Sequence, residues 1–172
     1  DTNPSIDYRV ETEYLTNEVI DKKYDVLNNL VETNHYFLNS RNLIDSSVER
    51  NGDLRSKFTY DNDDHMIQQT VYTQGNALQE IRTNVYQNGN LLSFTVTNPS
   101  GTIVYSFEYS NYDLSKNSTI TNSNIGQPYR GKTSTNFARH ATFHSGVVIQ
   151  SEFEYQPTYD GSGKIIKIVS LA

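Results

Sequence analysis

Apolar residues in this chain come in short alternating runs separated by polar turns. Ile103, Tyr105, Phe107 and Tyr109 fall on one side of an extended segment, with Val104, Ser106 and Glu108 on the other. Leu92, Phe94 and Val96 oppose Leu91, Ser93 and Thr95, and Leu54, Phe58 and Tyr60 oppose Arg55, Lys57 and Thr59. A period of two with one apolar and one wet face predicts half-buried antiparallel strands. No long stretch keeps a helical period. Asp21 to Val31 is the one segment where a short helix competes with strand.

The interruptions are themselves periodic. A strand-ending residue is followed six positions later by an aliphatic one, across a polar turn. The pairs are Tyr24 and Leu30, Phe37 and Leu43, Val48 and Leu54, Tyr60 and Met66, Tyr72 and Leu78, Val85 and Leu91, and Thr97 and Ile103. Their second members are spaced by 13, 11, 12, 12, 13 and 12 residues. Tyr14 to Ile20 is a weaker copy before them, and Tyr159 to Ile165 a late one. A repeat of about twelve residues suits a strand of about seven plus a short hairpin connection. Asn88-Gly89 in YQNGNLL is the clearest hairpin turn, because both residues tolerate positive φ.

These patterns predict an all-β fold: an antiparallel meander of hairpin repeats forming a strongly curved sheet or an incomplete barrel. A sheet with one apolar face must curl around it or cover it. The expected organisation is a single β-repeat domain over 1–172. It comprises an N-terminal tether 1–13, a repeat region 14–110, an irregular insertion 111–144 and a closing hairpin 145–172. Ile165-Ile166 and Ile168-Val169 are apolar on both faces. That predicts a well-buried last strand, closing the sheet against an earlier one.

Composition narrows the function. Hydrophobic residues are 35% of the chain even with 13 Tyr included, so the core is thin. Nineteen Asn, with many Thr, Ser and Tyr, suit strands and turns. The net charge of −6, with scattered Lys and Arg, argues against a nucleic-acid partner. The apolar runs are too short for a transmembrane helix. A membrane barrel would need apolar lipid-facing positions, whereas most strands carry charge or amides on both faces. With no cysteine there is no disulfide framework. A chain starting at Asp1 without Met leads to the expectation of an exported protein, periplasmic or on the cell surface, anchored by lipid through a removed N-terminal segment.

YDNDDHMIQQTVY, VYQNGNLLSFTV and YDGSGKIIKIV resemble the YD repeats of RHS-type proteins: Tyr-Asp, a polar turn, an aliphatic residue, then a strand. The resemblance covers about Asp21 to Tyr109 and the last hairpin. Only Tyr24-Asp25, Tyr60-Asp61 and Tyr159-Asp160 keep the YD pair. It implies an RHS-like sheet of the short, stand-alone, secreted or lipid-anchored type from Bacteroidetes, which has no assigned activity. YQNGNLL resembles MORN-like hairpin repeats about equally. Neither resemblance brings catalytic residues with it.

Candidate chemistry is sparse. His140 and His144 have the i, i+4 spacing of a metal pair, without the following glutamate of a metalloprotease or a third ligand. Asp61, Asp63 and Asp64 in DNDD form an oxygen-rich turn of the kind calcium uses, without EF-hand spacing. Gly131-Lys132-Thr133 lacks the first glycine of a phosphate loop. No metal and no cofactor is therefore expected. Tyrosines on strands pack as core or bind sugars and proteins through ring and hydroxyl. The expected function is binding or scaffolding without catalysis, for a polysaccharide, lipid or protein ligand. The alternative is a periplasmic carrier of a hydrophobic ligand. A hydrolase with its site near 111–144 stands third.

Overall fold

A computed structural model of the chain describes residues 8–49, 54–118 and 130–171. They form twelve strands: β1 (Arg9–Tyr14), β2 (Glu18–Tyr24), β3 (Leu30–Leu38), β4 (Ile44–Glu49), β5 (Leu54–Tyr60), β6 (Met66–Tyr72), β7 (Leu78–Gln87), β8 (Asn90–Thr97), β9 (Ile103–Asn117), β10 (Asn136–Ser145), β11 (Val148–Tyr159) and β12 (Ile165–Leu171). Each pairs antiparallel with its sequence neighbours in one sheet of order β1 to β12. The protein is all-β, a meander that does not close. No helix among the described residues is long and apolar enough to cross a membrane.

One turn chemistry explains the twelve-residue repeat. In five turns the first residue (Asp25, Asn39, Asp61, Asn98 or Asp160) accepts hydrogen bonds on its side-chain oxygen from the backbone N–H two and four positions on. The fourth residue of each turn has positive φ: Asn28, Asn42, Asp64, Gly101 and Gly163. This is a three-residue hairpin loop closed by a bulge, and Asx is its natural first residue. The residues flanking such a turn face each other, as Tyr24 and Leu30, Tyr60 and Met66, Thr97 and Ile103, and Tyr159 and Ile165 do. Val48 and Leu54 are also partners, although the turn between them lies outside the described residues.

Three expected pairs shift by one residue. Leu38, not Phe37, faces Ile44, because the Asx of that turn is Asn39. Tyr86, not Val85, faces Leu91, because Asn88 (φ 51°) and Gly89 (φ 77°) make a shorter two-residue turn. Likewise Tyr14 pairs with Val19, not Ile20. The segment open to a helix is β2, a turn and the start of β3.

Register places the apolar positions on one face. Val19, Tyr36, Ser47, Ser56, Val71 and Glu80 run across β2 to β7 as consecutive partners. Phe58, Gln69, Arg82, Val96 and Tyr105 make a second row, and Phe94, Phe107 and Phe143 a third. Val19, Ile44 and Phe58 form a buried cluster, with Tyr36, Leu38, Tyr60 and Met66 packed against it. Phe107 lies 5.0 Å from Phe143 and 6.2 Å from Tyr109, ring to ring. Arg55, Lys57, Glu108, Glu152 and Glu154 are exposed on the opposite face. The sheet curls around its apolar face. Tyr86 of β7 and Ile168 of β12 line one cavity, whereas five strands in a flat sheet would separate them by roughly 24 Å.

Three expectations need correction. β12 is an exposed edge strand: among the described residues it pairs with β11 alone, and Ile166 is 62% exposed. Much of the tether 1–13 is strand β1, held by β2 through all six of its residues. The irregular insertion 111–144 is shorter than expected. β9 continues to Asn117 and β10 begins at Asn136, because the polar stretches supply each other's backbone partners. The β9–β10 register shifts between Asn136 and Ala138, opposite Tyr112 to Asn117. Residues 119–129 lie outside the described ones.

Candidate functional site

The segment Arg130–Thr135 leaves the β9–β10 hairpin and crosses the turn ends of the sheet as a strap. Its anchors are mostly backbone groups. Lys132 N–H donates to Asp64 O at 2.8 Å, and a parallel bridge joins His65 and Lys132. Thr135 N–H donates to Gly89 O at 2.8 Å, and Ser134 Oγ accepts from Leu91 N–H at 2.9 Å. At one end the Arg130 guanidinium lies 5.4 Å from the centre of the Tyr36 ring. At the other, the buried amides of Asn90 and Asn136 pair. Asn90 Nδ2 donates to Asn136 Oδ1 at 3.1 Å, and Asn136 N–H to Asn90 Oδ1 at 2.8 Å. Gly131 (φ 82°) lies so close to the sheet that a Cβ there would fall 2.5 Å from Asp64 O and 2.8 Å from Tyr60 Cε1.

Between strap and sheet lies a cavity of about 400 Å³. Its walls are Tyr86 and Leu91 from the β7–β8 hairpin, Tyr109 and Tyr112 from β9, Phe137 and Ala138 from β10, Tyr155 from β11 and Ile168 from β12, with Ser118, Thr133, Ser134 and Asn136 adding polar atoms. None of these side chains carries a charge at neutral pH. Burial pushes the Tyr86 and Tyr112 hydroxyls up to about 12, and raises Tyr109 as well. All three stay protonated and can donate. Tyr112 donates to Leu91 O. The hydroxyls of Tyr86, Tyr109 and Tyr155 have no hydrogen-bond partner among the described residues. Phe137 meets Tyr155 edge to face at 6.2 Å, which fixes that wall.

His65, 5% exposed, stacks on the back of Tyr86 at 4.4 Å and 24°. Its Nδ1 lies 3.0 Å from Asp61 Oδ2. Burial works to raise the Asp61 carboxyl. The hydrogen bonds from His65 and Asp63, with the His65 charge, outweigh it and hold Asp61 below the ordinary carboxylate range. The pair locks the turn and the ring behind the cavity. No hydroxyl hydrogen-bonds the other His65 nitrogen among the described residues, so no nucleophile–base pair is assembled there.

The sequence candidates separate. Asp61 and Asp63 come together with His65, their ligand atoms within 4.8 Å. Both aspartates belong to the turn, and Asp61 is already engaged by three donors. Asp64 points elsewhere, pairing with Arg41 at 2.9 Å. His140 and His144 do not share a third ligand among the described residues. His140 Nδ1 lies 2.8 Å from Glu154 Oε1, and His144 Nε2 is 3.8 Å from Glu108 Oε1. Gly131-Lys132-Thr133 is part of the strap, not a loop between strand and helix. The four tyrosines were not among the sequence candidates. Of the four, alternation in the sequence placed Tyr109 on an apolar face.

Together these features define an open twelve-stranded meander whose end is crossed by a strap over a tyrosine-walled cavity. Among solved structures the chain is similar to a porin-like protein from Bacteroides uniformis, with a TM-score of 0.67 at 14% identity over 95% of this chain and 69% of that one. At that identity the likeness speaks for the fold alone. No family model and no curated protein matches the sequence.

Proposed function

We propose that this is an exported, non-catalytic binding protein whose strap-covered cavity takes a neutral sugar unit of a polysaccharide. The observation that carries the reading is the cavity lining. An open pocket of about 400 Å³ is walled largely by aromatic rings; among the described residues three of its tyrosine hydroxyls have no hydrogen-bond partner and no charged side chain lines it. A sugar ring offers an apolar C–H face to stack on tyrosine and hydroxyls to accept its hydrogen bonds. A purely aliphatic ligand would leave those hydroxyls unanswered, and a charged one would find no counter-charge in the lining. Catalysis is a poor fit to this cavity, because acid–base work wants a group titrating near the working pH, whereas burial pushes Tyr86 and Tyr112 up to about 12.

The exposed charges on the other face, Arg55, Lys57, Glu108, Glu152 and Glu154, support a water-facing outer surface rather than a lipid-facing one. The proposed site of action is thus the periplasm or the cell surface, which fractionation of the native host would locate.

The test is titration with neutral and uronate-containing oligosaccharides, followed by tyrosine fluorescence and calorimetry. A neutral oligosaccharide is expected to bind. Tyr109→Phe and Tyr86→Phe should each weaken it by about 3- to 10-fold, the loss of one neutral hydrogen bond. If no neutral sugar binds, or if the phenylalanine variants bind as well as the parent, the reading fails.

A further inference from the structure

We propose a second, chemically different site on the opposite side of the strap: a pocket for a small organic carboxylate bearing a hydrocarbon chain. A cavity of about 400 Å³ lies there, walled by Leu15, Val19, Leu38 and Leu43 and edged by Arg41 and Lys132. It combines an apolar floor with a cationic rim in a chain of net charge −6. Asp64 is the one acidic residue of the lining, so the lining carries a net charge of +1 (two cations less one carboxylate).

The rim is built rather than incidental. Arg41 donates through Nη1 to both Asp64 Oδ1 (2.9 Å) and Asp61 O (2.8 Å), which orients the guanidinium. Nε and Nη2 are left without a partner among the described residues. Lys132 is placed by its backbone, through the hydrogen bond to Asp64 O at 2.8 Å and the bridge to His65. Its ammonium has no acidic partner among the described residues. A guanidinium edge and an ammonium on one rim suit a carboxylate, and the leucines below suit its chain. The strap lines both cavities, with Lys132 on this one and Thr133 and Ser134 on the other. The two sites are nevertheless opposite in chemistry, and this one does not depend on the sugar reading.

The experiment titrates the intact protein with octanoate, octanol and acetate, read by calorimetry and by the methyl NMR signals of Leu15 and Leu43. Octanoate is expected to bind at least about tenfold tighter than either the uncharged chain or the chainless anion, and to shift both leucines. Lys132→Gln should cost about tenfold for octanoate and leave octanol unchanged, while Lys132→Arg keeps most of the affinity. Tyr109→Phe should not alter it, which separates failure here from failure of the sugar site. Equal binding of octanoate and octanol, octanoate binding insensitive to Lys132→Gln, or unmoved leucine signals would each overturn the proposal.

Discussion

Replacing Gly131 by alanine is the sharpest test of how the strap is held. Two costs follow from the geometry. At φ 82° any L side chain is strained, which costs about 1–2 kcal/mol. The new Cβ would also sit 2.5 Å from Asp64 O and 2.8 Å from Tyr60 Cε1. The carbonyl is backbone and the ring belongs to a packed side chain, so the strap must lift. Lifting it breaks the 2.8 Å bond from Lys132 N–H to Asp64 O, which is about 0.5–1.5 kcal/mol. The total is about 1.5–3.5 kcal/mol. Gly75 provides the control: its φ is 86°, yet a Cβ there meets nothing within 4 Å. Gly75→Ala should therefore cost only the backbone part. Urea unfolding of the two variants, compared at equal slope, isolates strap docking as their difference, about 0.5–1.5 kcal/mol. If the two glycines cost the same, the strap does not rest on Tyr60 and Asp64, and both cavities lose their common wall.

Two further outcomes are expected. Ile44→Ala, at a fully buried position, should lose about 2–5 kcal/mol in the same assay, whereas Ile166→Ala, 62% exposed on the edge strand, should stay within about 0.5 kcal/mol; comparable losses would contradict the placement of the core under β2 to β5. Burial pushes the hydroxyls of Tyr60, Tyr86 and Tyr112 up to about 12 from an ordinary 10.0. The folded chain thus holds these protons more tightly than the unfolded one, so this stability is complete below pH 10 and drains away as the pH climbs through 12. The partial exposure of the rings keeps each contribution to about 1 kcal/mol. Absorbance at 295 nm should show a late-titrating class of tyrosines, and their ionisation together near pH 10 in the folded protein would refute it.

The fold was legible because its information is local. Five hairpins are set by an Asx at the first turn position and an Asn, Asp or Gly at the fourth, and both are visible in the sequence. The six-residue spacing alone pairs Phe37 with Leu43, whereas the Asx position, Asn39, fixes the partners as Leu38 and Ile44. β12 misled for a different reason. Ile165, Ile166, Ile168 and Val169 look like a buried strand, but burial is decided by what lies alongside, and only β11 does. The tether failed in the converse way, since Glu11 and Glu13 look solvated and are, yet their backbone pairs fully with β2.

The cavity was not legible because nothing local marks it. Tyr86, Tyr112 and Tyr155 stand on three different strands, and flat-sheet spacing would keep them in separate rows. They converge through two non-local effects: the curl of the sheet, and a strap that meets the cavity with ordinary Thr and Ser side chains. The same alternation that packs Phe107 against Phe143 aims Tyr109 at the cavity. Alternation therefore says which face a tyrosine takes but not whether its hydroxyl ends in core or in a binding site. That distinction rests on where the strap stops: it seals the end of the sheet at Tyr60 and Gly131, and it leaves room beside Ser134. A change that moves the strap should consequently alter ligand affinity without altering the strands, and Gly131→Ala is the change that can show it.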